Sequence, residues 1–156
     1  MQKPDVERLH EEDFELIRPL LAELYAAEQG YYDDHPQLSP NELQSIVGPI
    51  PSRFVGENII FAVRAADGSV AGFCWCLLFD PGTGLEGEVA EVFVSPGHRR
   101  GGIAAALLEH AVSLFRERGV TLAYVWTRDE NKAAVDAYRK AGFETNRQLV
   151  LTWYPS

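Results

Sequence analysis

The chain is short of several things, and each shortage excludes a class of function. It has 2 cysteines, Cys74 and Cys76, in 156 residues. They stand two apart in an apolar run, so on a strand they point to the same face. Same-face neighbours on one strand suit neither a disulfide nor, without further ligands, a zinc site. They read as small buried hydrophobes of a reducing compartment, and the cytoplasm is the expected location. Metal-ligand spacing is missing, so no metal is expected, and there is no Ser/His/Asp or Cys/His nucleophile set. Basic residues are outnumbered 14 to 23, and the net charge of −9 argues against a general nucleic-acid binder. The acidity is compatible with a cationic substrate, but equally with solubility alone. No apolar stretch is long enough to span a bilayer, and Met1-Gln2-Lys3-Pro4-Asp5-Val6 lacks the apolar core of a secretion signal, so no membrane is expected. Repeats and low-complexity tracts are absent. What remains, 46% hydrophobic and 24% charged, is ordinary globular composition at a length that suits one domain over residues 1–156.

The order of elements follows from periodicity and breakers. Val6 to Leu9 is a short candidate strand. Helical spacing runs from Glu11 to Gln29 through Phe14, Ile17, Leu21, Leu24 and Tyr25, with Gly30 as a stop. Pro19 falls inside that pattern and predicts a kink or a split. A polar loop rich in aromatics and acids leads to a short helix from Pro40 to Val47. Ile59 to Arg64 and Val70 to Phe79 read as strands joined by the hairpin signal Ala66-Asp67-Gly68-Ser69. A strand from Glu88 to Val94 precedes the strongest helix, Arg100 to Arg118, which Gly119 stops. Val120 to Thr127 is the next strand and Asn131 to Ala141 the next helix. Two short strands, Phe143 to Thr145 and Gln148 to Trp153, close the chain. The fold class is α/β, with helices flanking a mixed central sheet. The helix between the Glu88 and Val120 strands makes a crossover and therefore a parallel pair.

The most informative run is Val92-Phe93-Val94-Ser95-Pro96-Gly97-His98-Arg99-Arg100-Gly101-Gly102-Ile103-Ala104. A strand enters a Pro-Gly turn, then two arginines and two glycines, then a helix. The first N–H groups of a helix lack internal partners and carry partial positive charge. Glycines let an anion approach them, and Arg99 and Arg100 add full charges. Glycines that serve only the bend are the alternative. The combination of elements favours a phosphate site.

At this run the chain resembles the GNAT superfamily, the CoA-dependent N-acyltransferases. Arg99-x-x-Gly102-x-Ala104 is similar to that family's acyl-CoA signature, and Val94-x-Pro96 to the turn that ends its signature strand. Downstream, the stretch from Asn131 through Ala134, Tyr138, Lys140 and Gly142 to Phe143 resembles a second family element. The resemblance covers the C-terminal half; the N-terminal half matches only in the order of elements. It implies a GNAT-like fold whose two parallel strands splay apart. It also implies acetyl-CoA held by Phe93, Val94, Arg99, Arg100, Gly101, Gly102, Ile103 and Ala104, with Asn131 and Tyr138 contributing. An amine is the implied acceptor, and the resemblance leaves a homodimer open.

Acyl transfer from a thioester to an amine needs a proton acceptor, donors for the oxyanion and help for the departing thiolate. Tyr138 is the candidate acid, because the matching family tyrosine stands beside the CoA sulfur. Its stripe with Ala134 and Ala141 fits a core tyrosine as well. Glu91 is the candidate base: within Val89-Ala90-Glu91-Val92-Phe93-Val94, a carboxylate facing an apolar layer would need a task or a partner. Pairing with an arginine or with solvent is the other reading. On a regular strand Glu88 would face away from Glu91. Asn131 also suits an N-cap. His98 and His110 are discounted as bases, and His35, in Tyr31-Tyr32-Asp33-Asp34-His35-Pro36, belongs either to an acceptor site or to a solvated loop. Two functions follow from the whole: an acetyl-CoA-dependent N-acetyltransferase, or a non-catalytic acyl-CoA-binding module.

Overall fold

A computed structural model describes residues 2–31, 37–50 and 56–155. Its strands are β1 (Glu7–Arg8), β2 (Glu57–Arg64), β3 (Val70–Phe79), β4 (Glu86–Val94) and β5 (Leu122–Val125). Its helices are α1 (Arg18–Glu28), α2 (Pro40–Ile46), α3 (Ile103–Glu117) and α4 (Lys132–Lys140). The strands lie side by side in chain order, antiparallel from β1 to β4, with β5 parallel to β4. The mixed α/β sheet read from the sequence is the sheet that forms, including the parallel pair that α3 connects.

Pro19 splits the first helical pattern. Residues Glu11–Ile17 wind as a 3-10 segment, and α1 starts at Arg18 with Pro19 in its first turn. Proline is tolerated there because the first N–H groups of a helix have no internal acceptor. Ser39 and Glu42 cap the start of α2 reciprocally. Arg18 then ties α1 to the exit of α2, donating to the carbonyls of Val47 at 2.7 Å and Gly48 at 2.9 Å.

Strand alternation sorts the core into two layers. Ile59, Phe61, Cys74, Cys76 and Val89 pack with Leu107, Leu108, Ala111 and Tyr138 on the α3/α4 face. Ile60, Ala62, Phe73, Trp75 and Leu77 pack with Phe14, Ile17, Leu21 and Leu24 on the α1 face. The two thiols lie 3.8 Å apart, buried and unbridged. A Cβ on Gly72 would come within 2.7 Å of Ile103 Cγ2, so the missing side chain lets the first turn of α3 seat on the sheet.

Two expectations fail. Helix α3 begins at Ile103, not Arg100, because Arg100 and Gly102 have φ of 65° and 75°, which no α-helix accepts. The closing pair of strands does not form: residues 144–155 join no ladder, and Leu149, Leu151 and Trp153 are 85%, 90% and 82% exposed. Asn146 instead accepts the Gln148 N–H at 3.0 Å, local bonding that competes with a ladder. Alternating apolar residues suit a pleated, half-buried surface, but they do not supply the neighbouring strand.

Candidate active site

β4 has a neighbour on each side, though not along its whole length. β3 pairs with it from Glu86 to Val94, whereas β5 pairs only with Glu86 to Val89. Beyond Val89 the parallel strands part, and the β5-facing edge of residues 90–94 has no strand partner among the described residues.

The parting coincides with a bulge. Cys76 pairs with Val89 and Trp75 with Glu91, which leaves Ala90 as an extra residue on β4. One extra residue resets the alternation. The expectation that Glu88 and Glu91 face opposite ways therefore fails. Glu88 shares the face of Leu77 and Glu91 that of Trp75, and both look toward α1. Tyr124, in register with Glu88 on β5, joins the same face.

Glu91 sits in this gap, largely buried, with no hydrogen bond or ion pair to any described residue. Burial, and then the charges of Glu28 and Glu88, push its carboxyl up to about 8. Uncompensated desolvation disfavours the charged form, and nearby like charges add to the effect. Tyr138 enters from α4 on the opposite face, 8% exposed, with its ring edge-on to Phe143 at 6.1 Å. Burial, Cys74, Glu91 and Glu28, in that order, hold its phenol well above the usual tyrosine range. The hydroxyl has no hydrogen-bond partner among the described residues.

The Arg99–Ala104 turn lies where β4 ends. Among the described residues, the N–H groups of Gly102, Ile103 and Ala104 donate to no protein acceptor, and Gly102, the N-cap residue, offers no side-chain cap. Arg100 is the one described non-glycine residue with positive φ. A residue held in this sparsely populated region costs energy that the surrounding structure must offset. Arg99 turns back to donate to the Val94 carbonyl at 3.2 Å and lies 5.4 Å over the Phe93 ring. Asn131 caps α4 by accepting the Ala134 N–H at 3.3 Å, as its N-cap reading expects.

The histidines stand apart from the gap. The His98 ring bonds the Ser95 hydroxyl at 2.7 Å, and the His110 ring bonds the Ala106 carbonyl at 3.0 Å. His35, with residues 32–36, lies outside the described residues.

Sequence reading missed two residues of the cleft, Tyr25 and Glu28. Burial, Glu91 and Glu28 push the Tyr25 phenol up to about 12, and burial raises Glu28 while Arg128 opposes it. Arg128 lies 4.9 Å over the Tyr31 ring at the end of α1. The signal was present in outline: Tyr25 and Glu28 are one helical turn apart, just before the acid-rich loop. Tyr25 was absorbed into the apolar stripe instead. Among the described residues there is no His/Cys/Asp/Glu group fit for a metal and no helix long and apolar enough to cross a membrane.

The family model for the Acetyltransferase (GNAT) family matches residues 10–143. Mycothiol acetyltransferase of Amycolatopsis mediterranei is 30% identical over 145 residues, which are 93% of this chain and 42% of that protein. Streptothricin acetyltransferase of Streptomyces lavendulae is 35% identical over 83 residues, 53% of this chain and 43% of its own length. The chain thus spans less than half the length of these curated relatives. Among solved structures, an integron cassette protein from the mobile metagenome of V. cholerae superposes with a TM-score of 0.74 at 18% identity, covering 100% of this chain and 94% of that one. An aminoglycoside acetyltransferase from an uncultured soil metagenomic sample, in complex with sisomicin, gives 0.67 at 17% identity, covering 97% and 95%. At such identities the structural likeness speaks for the fold alone. With the family model matching most of the sequence, this chain belongs to the GNAT acetyltransferase family.

Proposed function

We propose that this chain is an acetyl-CoA-dependent N-acetyltransferase that uses Glu91 as base and Tyr138 as acid. One observation carries the reading: beyond the point where β4 and β5 part stand a carboxyl and a phenol, both without a hydrogen-bond partner among the described residues.

The residues present fit the co-substrate. Among the described residues the first amides of α3 find no acceptor, and a Cβ at Gly102 would meet nothing within 4 Å, so the turn would admit a pyrophosphate. Gly101, Gly102, Ile103 and Ala104 would hold it through backbone N–H groups, with Arg99 and Arg100 adding charge. Phe93 and Val94 would offer the open edge to the pantetheine amides, in competition with Arg99 for the Val94 carbonyl. Asn131, already an N-cap, stands near enough in the chain to Tyr138 to contribute a secondary contact. Acetyl-CoA, when bound, supplies the acyl carbon that the amine attacks and the sulfur that leaves.

Glu91 would take the proton that the attacking ammonium must lose, directly or through a water. A carboxyl at about 8 is matched to that task near neutral pH. As the C–N bond forms and the C–S bond breaks, the Tyr138 hydroxyl would donate to the thiolate. Its phenol stays protonated at any working pH, so stabilisation by hydrogen bonding outweighs complete transfer.

The test is release of free CoA thiol from acetyl-CoA over a panel of primary amines, with kcat/KM followed against pH. The wild type should show an acidic limb with its inflection near 8, and Glu91→Gln should flatten that limb while still binding CoA by calorimetry. CoA binding without thiol release on any amine would make the chain a binding module instead. An unchanged acidic limb in Glu91→Gln would remove Glu91 as the titrating group.

A further inference from the structure

Arginines elsewhere in the chain hold carboxylates: Arg8 and Arg118 pair with Glu57, Arg18 with Glu15 and Arg64 with Glu7. Arg99 pairs with no carboxylate among the described residues, although the chain has 23 acidic residues against 14 basic ones. Its guanidinium engages uncharged groups instead. Nε donates to the Val94 carbonyl at 3.2 Å, and Cζ lies 5.4 Å from the centre of the Phe93 ring. The backbone sets this up. Arg99 is extended, at φ −68° and ψ 160°, and Arg100 follows at φ 65°, so the chain turns toward α3 while the Arg99 side chain returns to β4.

The carbonyl that Arg99 holds belongs to the open edge of β4. The Ser95 N–H donates to the Ala71 carbonyl at 2.8 Å, and the next pair in register is Val94 with Gly72. Bonded and unbonded pairs alternate along an antiparallel ladder, so the N–H and C=O of Val94 point away from β3. That is the side from which β5 has parted. A pantetheine arm laid along this edge needs the Val94 carbonyl for one of its amides, and the Arg99 side chain lies across it. The competing partner for Arg99 is close in the chain, since the N-cap of α3 is Gly102. A phosphate there offers the guanidinium two charged oxygens in a bidentate pair, whereas Val94 offers one neutral oxygen.

We propose that Arg99 is a latch on the pantetheine edge and thereby sets donor specificity: a diphosphate at the turn draws its guanidinium off the Val94 carbonyl and frees that edge. This rests on the acetyl-CoA reading above and adds to it how the donor is selected. A CoA thioester releases the latch itself, because diphosphate and pantetheine arm belong to one molecule. A pantetheine thioester that lacks the diphosphate meets a closed edge. Since one side chain answers to both portions of CoA, the two portions bind with positive coupling, and the coupling is reciprocal.

The probes are CoA, pantetheine and adenosine 3′,5′-bisphosphate, titrated calorimetrically into the wild type, Arg99→Met and Phe93→Leu. Methionine keeps an unbranched apolar stem over the Phe93 ring and cannot donate. Leucine in place of Phe93 removes the ring and leaves the Arg99 charge. Arg99→Met should bind pantetheine about 10-fold more tightly than the wild type, on the scale of one hydrogen bond from a charged group. Its preference for CoA over pantetheine should fall by more than that, because the charge is lost as well. Phe93→Leu should bind pantetheine about 3-fold more tightly, the scale of an exposed cation–π contact. Saturating bisphosphate should tighten pantetheine binding to the wild type by about 10-fold, with no such gain in Arg99→Met. This coupling is read in the wild type and needs no variant to fold. Pantetheine binding that is no tighter in Arg99→Met, or an absence of coupling in the wild type, would overturn the latch and leave the acetyl-CoA reading intact. A wild type that binds no CoA would overturn both.

Discussion

A side chain's surroundings decide its chemistry, and Tyr138 shows this at the residue scale. Its ring belongs to the core beside Leu107 and Phe143, whereas its hydroxyl meets no partner among the described residues. Tyr138→Phe keeps the ring and deletes only the unsatisfied group, so stability should hold or rise slightly. Activity should not hold: kcat should fall about 10²-fold, the usual range for a positioned acid, with a smaller change in KM for acetyl-CoA. Steady-state kinetics beside a thermal melt checks both halves. Wild-type kcat with chemistry rate-limiting would return Tyr138 to a packing role. The candidacy of Tyr138 and Glu91 was legible in the sequence, through a motif and through a carboxylate in an apolar strand. Tyr25 and Glu28 were legible only as a pair one helical turn apart, because nothing local to α1 announces which strand it will cover.

At the scale of elements, the turn between β4 and α3 is the most specific piece of design. Its two left-handed residues, Arg100 and Gly102, delay the helix and leave the first α3 amides pointing outward. Gly102→Glu would add a negative charge at those amides, with open space around the new Cβ. The left-handed φ costs a non-glycine residue about 1 kcal/mol, so the variant should fold. CoA affinity should drop by at least about 10²-fold, on the order expected when a carboxylate replaces an anion's place at a helix start. Gly102→Ala carries the same strain without the charge and should lose much less. Titration calorimetry on both variants separates charge from strain, and equal losses would move the pyrophosphate elsewhere. The position of this turn was readable from the sequence. The exact start of the helix was not, since arginine gives no hint that its φ will be positive.

At the scale of the molecule, Glu91 makes stability depend on pH in an unusual direction. Its carboxyl stands near 4.5 in an unfolded chain and near 8 in the fold. Between those values the folded state holds a proton that the unfolded state has lost, so stability falls as pH rises. Below about 4.5 the effect vanishes, and above about 8 it is complete. At about 1.4 kcal/mol per pKa unit the cost amounts to a few kcal/mol at most. Glu91→Gln removes the titration and nearly preserves the volume. Its melting temperature should match the wild type at pH 4 to 5 and exceed it by about 10 °C at pH 8, from a few degrees per kcal/mol in a domain of this size. A variant less stable than the wild type at pH 8 would mean that the carboxylate has a partner in the fold.

The sequence by itself determined whatever depends on near neighbours in the chain. Helical and strand periods, the split at Pro19, the cap at Asn131 and the position of the turn at Gly102 follow from backbone geometry within a few residues. The two motifs carried the family because they are contiguous. Tertiary structure alone decided what depends on a partner strand or a facing helix. The tail from Gln148 to Trp153 has a strand's pattern but forms no ladder, since pairing is a property of two segments. The Ala90 bulge turned Glu88 onto the face of Glu91, because register is settled across β3 and not along β4. The same placement of α1 over that face brought Glu28 and Tyr25 to the gap and raised the Glu91 carboxyl, for desolvation and charge repulsion act through space.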